Sequence, residues 1–250
     1  MFEVEVADSI ATITLDRAPV NAMNDAWVQG FHDRLDGLEP RTDWSVLRVR
    51  SALKLFSGGA DLKQIDGNFG GSIDEQLAPG RRYQQLFSRI EGLSRLTFAE
   101  LRGTALGGGL ELALACDLRF ASEAAKLGLP EVKLGLMPGA GGTQRLSRLC
   151  GRATAMRLIM AGELVGGAQA LSLGLVQWAV PDAEFDERAA TVVRQFAAIP
   201  PHASRAAKAA IGAAFQTDVG GYDIETQNVR NCLEHPATRE LVGAFLSRNR

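Results

Sequence analysis

Phe98-Ala99-Glu100-Leu101-Arg102-Gly103-Thr104-Ala105-Leu106-Gly107-Gly108-Gly109-Leu110-Glu111-Leu112-Ala113-Leu114-Ala115-Cys116-Asp117 is the stretch that decides the fold. It reads as a strand over 97–102, then a glycine turn, then a helix that Gly107-Gly108-Gly109 opens and that runs through Cys116. The helix is apolar on every face except at Glu111 and Asp117, which is the pattern of a buried helix. The same plan occurs once before. Val46–Arg50 reads as a strand and leads through Phe56-Ser57-Gly58-Gly59 into a short helix at Ala60-Asp61-Leu62-Lys63. The two stretches share little residue by residue, but strand, glycine cluster and helix recur in order. That alternation predicts an α/β fold of repeated units.

Outward from these repeats, Phe2, Val4 and Val6 alternate with polar residues, as do Ala11, Ile13 and Leu15, with Asp8-Ser9 between them. This predicts an N-terminal hairpin. Asn24 or Asp25 can cap a helix to about Leu38, with Trp27, Phe31 and Leu35 at helical spacing. Residues 66–82 mix Asp, Gly, Asn, Ser and Pro without periodicity and read as a mobile surface loop, with a helix following from about Arg82 to Ser94. Leu118–Ala121 and Lys126–Leu129 read as strands, and a helix after Pro138 ends near Cys150-Gly151. Beyond that the pattern is mainly helical. The division expected is a core over residues 1–195 and a helical region over 196–250.

Composition narrows the function. Lys plus Arg number 27 against 29 Asp plus Glu, a net charge of −2, so there is no basic excess of the kind nucleic-acid proteins carry. No run of about 18 apolar residues is present to span a bilayer, and Met1–Glu5 carries acids where a secretory leader needs bases. Cys116, Cys150 and Cys232 form no CxxC pair, and they read as reduced thiols in a cytoplasm. Among standard motifs, the P-loop, the G-x-S-x-G elbow and H-E-x-x-H are all missing. His32, His202 and His235 have no cysteine nearby to suggest zinc. No metal site is expected.

The 27 glycines in 250 residues exceed the usual 7% or so and are clustered, marking tight turns and close backbone approaches. Glu111 falls in the first turn of the buried helix. A first-turn glutamate can simply complement the helix dipole, but leucines on both sides argue for burial, which costs several kcal/mol unless the carboxylate is paired or neutralised. Twenty residues on, Pro130-Glu131 is ordinary helix-start chemistry by itself. Two glutamates on elements that both begin at tight turns can also face one site. The glycine turns can be there for tight turns and packing alone, or they can leave free backbone N–H groups at Ala60 and Gly108 that meet a developing oxyanion.

At this point five segments resemble the crotonase superfamily, and within it most closely the enoyl-CoA hydratases. They are Asn21-Ala22-Met23, Phe56–Lys63, Gly103–Ala113, Pro130-Glu131 and Pro138-Gly139-Ala140-Gly141-Gly142-Thr143-Gln144-Arg145-Leu146. The resemblance runs from about residue 4 to the C-terminus. It implies a spiral of repeated ββα units with a C-terminal helical trimerisation region, and a homotrimer or homohexamer. The substrate it implies is an acyl-CoA thioester. Ala60 and Gly108 match the oxyanion hole, and Glu111 and Glu131 match the acid–base pair. Asn21, Asp61, Leu62, Lys63 and Gly139 match substrate contacts. The implied reaction, hydration of an enoyl-CoA in fatty-acid β-oxidation, needs no cofactor, since coenzyme A belongs to the substrate. A double-bond isomerase is the alternative. A non-catalytic, RNA-binding member is a remote one, because the first helix sets Arg34 and Arg41 among acids. Three features depart from the family pattern: the short Pro19-Val20-Asn21 segment, Glu100 in a strand expected to be apolar, and a short C-terminus.

Overall fold

Asp8 and Ser9, both at positive φ (51° and 62°), fold strand β1 (Phe2–Ala7) back on β2 (Ile10–Leu15) as an antiparallel hairpin. The two-residue turn matches the right-handed twist of the strands. The computed structural model describes residues 1–215 and 220–248, and of residues 243 and 245–248 the backbone only. The chain continues through α1 (Asp25–Leu38), β3 (Val46–Ser51), α2 (Leu62–Asn68), α3 (Ile73–Glu91), β4 (Leu96–Leu101), β5 (Ala105–Leu106) and α4 (Gly108–Ala115). Next come β6 (Leu118–Ser122), β7 (Lys126–Gly128), a 3-10 turn at Glu131–Leu134, α5 (Gly142–Cys150), α6 (Arg152–Met160), β8 (Val165–Gly166), α7 (Gly167–Ser172) and β9 (Trp178–Val180). Four helices close the chain: α8 (Phe185–Ala197), α9 (Pro201–Ala213), α10 (Gly221–Glu234) and α11 (Pro236–Arg248).

Two sheets result. The larger has the order β1-β2-β3-β4-β6-β9, and the smaller β5-β7-β8. The pairs β2–β3, β4–β6 and β6–β9 are parallel. Successive turns of the chain therefore add one strand to each sheet, β4 then β5 and β6 then β7, and the α/β spiral expected from the repeat is present. Among the described residues no helix is long and apolar enough to cross a membrane. Contacts divide the chain into two compact units, Met1–Leu93 with Thr97–Ala197, and Ser94–Leu96 with the chain from Ala198 onward.

In the first unit, Asn24 caps α1 by accepting a hydrogen bond from Trp27 N at 3.0 Å. The stripe Trp27, Phe31 and Leu35 is wholly buried, each side chain worth about 1.5–3 kcal/mol of transfer free energy. All eight residues of α4 are buried, as its all-round apolar pattern requires. The segment 66–82 is not the loop expected. It comprises the end of α2 and the first half of α3, with Pro79 inside the helix. Ser72 and Glu75 form a capping box, which satisfies free amides at the start of α3. The buried stripe Pro79, Tyr83, Leu86, Phe87 and Ile90 then holds the helix despite its missing N–H, because packing rather than propensity supplies most helix stability. A second difference is β9, which ends the large sheet within a region expected to be helical.

Glu100 also finds its explanation here. It lies on β4 and forms an ion pair at 3.0 Å with Arg48 on the neighbouring strand β3. The contact is ionic rather than an aligned hydrogen bond. Burial pushes the Glu100 carboxyl above its usual range, while Arg48 and Arg50 pull it back.

In the second unit, Pro201 starts α9 at a position that needs no N–H. The rings of His202 and His235 stack at 3.8 Å. Tyr222 is 88% exposed and Leu233 71%. Leu241 and Val242 are exposed as well. The apolar sequence of this last helix also includes Phe245 and Leu246, whose side chains lie outside the described residues.

Candidate active site

The site begins with two backbone amides. Residues 56–61 run between the Met23 segment and β5, bridging Met23 to Ala60 and Ser57 to Ala105. Met23 N donates to Gly59 O at 2.8 Å and Asp61 N donates to Met23 O at 2.7 Å. Neighbouring amides along an extended chain point to opposite sides, so Ala60 N–H faces away from Met23. Gly108 is the first residue of α4, where the helix offers its N–H no partner. Among the described residues neither amide has an acceptor. They are close together: a Cβ placed on Gly59 would lie 3.1 Å from Gly108 N and 2.7 Å from Leu106 O. Gly59 sits at φ +94°, so the turn that sets the two amides side by side demands glycine.

Glu111 rises from the first turn of α4 and is 3% exposed. Its Oε1 accepts two hydrogen bonds of 2.8 Å, from Ala140 N and Gly142 N at the entry to α5. Burial raises its pKa above the ordinary value, and the two amides and Arg145 oppose that rise. Glu131 opens the 3-10 turn after Pro130. Its Oε1 lies 3.2 Å from where a Cβ on Gly107 would stand, next to the Gly108 amide. Its Oε2 is buried without a hydrogen-bond partner among the described residues. Burial pushes the Glu131 carboxyl up to about 7, its own backbone amide lowers it, and the Glu111 charge raises it further. The two carboxyls therefore share one region beside two free N–H donors, but they are held differently. Two donors grip Glu111, and among the described residues no side chain or neighbouring residue grips Glu131.

The expected substrate contacts divide. Asp61 caps α2, accepting from Lys63 N at 3.2 Å, and pairs with Arg17 at 3.1 Å. Leu62, Lys63 and Gly139 are exposed at the surface. Asn21 is fully buried, at φ +48°. Its amide nitrogen donates to Ser51 Oγ and Phe56 O, and its Oδ1 accepts from Arg17 N. With all its polar atoms used internally, Asn21 shapes the turn that carries Ala60 and offers no side-chain group to a ligand. Sequence reasoning missed Arg17 and Tyr83, whose hydroxyl donates to Met23 O at 2.7 Å. The Tyr83 contact and the Arg17–Asp61 pair both cross long sequence separations that no local pattern signals.

The sequence profile of the enoyl-CoA hydratase/isomerase family matches residues 5–250. A probable enoyl-CoA hydratase of Bacillus subtilis is 35% identical over 246 residues, covering 96% of this chain and 93% of that protein. The 2,3-dehydroadipyl-CoA hydratase of Escherichia coli is 36% identical over 203 residues, 81% of this chain and 78% of that protein. The crystal structure of an enoyl-CoA hydratase from Bacillus anthracis superimposes with a TM-score of 0.92 at 32% identity, covering 99% of this chain and 96% of the other. The fold is the crotonase spiral, and the chain belongs to the enoyl-CoA hydratase/isomerase family.

Proposed function

We propose that this chain is an enoyl-CoA hydratase, adding water reversibly across the 2,3 double bond of an α,β-unsaturated acyl-CoA thioester. The observation that carries the reading is a buried glutamate and a half-buried one, unlike in environment, beside two amides without acceptors among the described residues. The thioester oxygen accepts from Ala60 N–H and Gly108 N–H. As water adds at C3, negative charge moves onto that oxygen. Each fixed donor is worth about 3–4 kcal/mol in the transition state. Glu111, favoured as a carboxylate by its two amide donors, takes the proton from water. Glu131, with a carboxyl that stays protonated to about pH 7, delivers a proton to C2. In this reading coenzyme A enters as part of the substrate, and the acid–base chemistry is complete without a metal or redox group.

Lys63 and the Asp61–Leu62 corner are taken as contacts for the CoA portion. Exposed Phe69, Ile73 and Leu77, in the segment 66–82, are taken to meet the acyl chain. We take the setting to be fatty-acid β-oxidation in the cytoplasm, in line with Cys116, Cys150 and Cys232 standing outside any disulfide. We take the working form to be a homotrimer, or a homohexamer, assembled through residues 196–250. Tyr222, Leu233, Leu241 and Val242 support this, since they expose more apolar surface than a solvated helix carries. A monomer by light scattering at micromolar concentration would overturn that assembly.

The deciding experiment compares a 2-enoyl-CoA with a 3-enoyl-CoA. Loss of the conjugated-thioester absorbance, with a mass gain of one water, is the expected result for the 2-enoyl substrate. Conversion of the 3-enoyl substrate to the conjugated isomer, with no water adduct from either, would replace the hydratase reading with the isomerase one.

A further inference from the structure

Ala140 uses both sides of its peptide plane. Its N–H donates to Glu111, and its carbonyl accepts from Arg145 Nη1 at 3.0 Å. Arg145 is only 8% exposed, and its Nε and Nη2 both donate to Glu91 Oε2, at 3.1 and 2.8 Å. Gly141, between them in the turn, stands at φ +103°, and any Cβ there would collide with Arg145 Nη1. The guanidinium therefore fills the space under the turn that a side chain would occupy. The other end of the turn is tied to the same helix. Gln84 Nε2 on α3 donates to Gly139 O at 2.7 Å. Gly80, one helical turn earlier, brings the α3 backbone close enough that a Cβ there would lie 3.8 Å from the same oxygen. Residues 80, 84 and 91 recur at helical spacing, on one face of α3.

We propose that Arg145 is the positioning residue for Glu111. Clamped by Glu91, its guanidinium braces the 139–142 turn so that Ala140 and Gly142 aim both N–H groups at one carboxylate oxygen. This deepens the hydratase reading and rests on Glu111 acting as the base. Arg145 reaches Glu111 only through the turn and through its charge. The other groups acting on Glu111 are the two amides and, across the site, Glu131. Glu91 is half exposed, so removing Arg145 strands no buried charge on α3.

The test uses full-length E111Q, R145M, R145K and E91Q, each checked for fold by circular dichroism. Hydration is measured against pH. With Arg145 gone, kcat is expected to fall by up to about a hundredfold, the scale of a small misplacement of a reacting group, while KM stays within about twofold. The acid limb of the pH profile is expected to move to higher pH, because the cation that favours the Glu111 carboxylate is lost. R145K keeps the charge but not the fork, so it should restore the limb and only part of kcat. E91Q should lower kcat less, and R145M with E91Q combined should fall short of additivity. If R145M does not fold, R145K and E91Q carry the test. A hundredfold loss in E111Q with wild-type kcat and acid limb in R145K and E91Q would overturn the positioning role alone. Wild-type turnover in E111Q would instead overturn the reading of Glu111. A loss of rate in R145M with an unmoved acid limb would reduce Arg145 to a packing role and overturn the proposal.

Discussion

Glu131→Gln should stabilise the protein while abolishing hydration, and the stabilisation should depend on pH. The Glu131 carboxyl has an ordinary value of 4.5 in the unfolded chain and about 7 in the fold, with burial as the leading cause. Below 4.5 it is protonated in both states and gives no difference from glutamine. Between those values the folded protein keeps a proton that the unfolded chain has released, so stability falls as pH rises. Above 7 the fold must carry a charged buried carboxylate, and the full penalty applies. At about 1.4 kcal/mol per pH unit the ceiling is about 3 kcal/mol. Part of the side chain stays in contact with solvent, and screening brings the expected penalty to roughly 1–2 kcal/mol. For a chain of this size that corresponds to about 3–6 °C in Tm. The assay is thermal unfolding of wild type and E131Q from pH 5 to pH 8.5. The two curves should nearly coincide at the acid end and separate through pH 7, with E131Q higher. A gap that does not change with pH, or a less stable E131Q at pH 8, would refute the assignment of Glu131 as a buried, neutral acid.

Glu111→Gln should lower kcat by at least about a hundredfold, an ordinary contribution for a general base, with KM nearly unchanged; stopped-flow hydration kinetics would detect retained turnover. In wild type, kcat/KM should decline above about pH 7 as free-enzyme Glu131 ionises, and a flat alkaline limb would contradict its role as the acid. Arg48→Met should cost about 3 kcal/mol by stranding buried Glu100, whereas the double change R48M/E100M should regain most of that loss in denaturant melts. Gly108→Ala should impair thioester turnover and also lower Tm, because a Cβ there would collide with Met23 Cε, a fully buried methyl; unchanged Tm would mean that Met23 moves aside freely.

What the sequence made legible is what local pattern can carry. The apolar helix around Glu111 announces its own burial, since every face of α4 needs a neighbour. The glycine clusters mark Ala60 and Gly108 because turns of that kind require residues without side chains. The segment 66–82 misleads for a related reason. Pro79-Gly80 looks like a breaker, and only the tertiary packing of Tyr83, Leu86 and Phe87 overrides it. Trp178–Val180 is too short for an alternation to register. Glu100 stays inexplicable until Arg48, on another strand, comes alongside. The internal bonding of Asn21 is not legible in the sequence, because its partners Ser51 and Phe56 are distant along the chain. Arg145 stands in a motif that can be read, yet its partner Glu91 lies on a helix read with the wrong start.

The direction of proton flow in the proposed reaction follows from how the two glutamates are held rather than from their identity. Glu111 is buried and Glu131 half-buried, and burial alone would push both toward the neutral form. The convergence of Ala140 and Gly142 on one oxygen of Glu111 works against that, because amide N–H groups stabilise the charged form. Glu131 has a buried oxygen with no hydrogen-bond partner among the described residues, and its environment stabilises the neutral form. The two groups also oppose each other's ionisation, since a charged Glu111 makes it harder for Glu131 to lose its proton. A site with two equivalent carboxyls would share one proton between them and have no fixed acid or base. Here the asymmetry comes from rigid elements, the start of α4 and the turn entering α5, so it is in place before any substrate arrives.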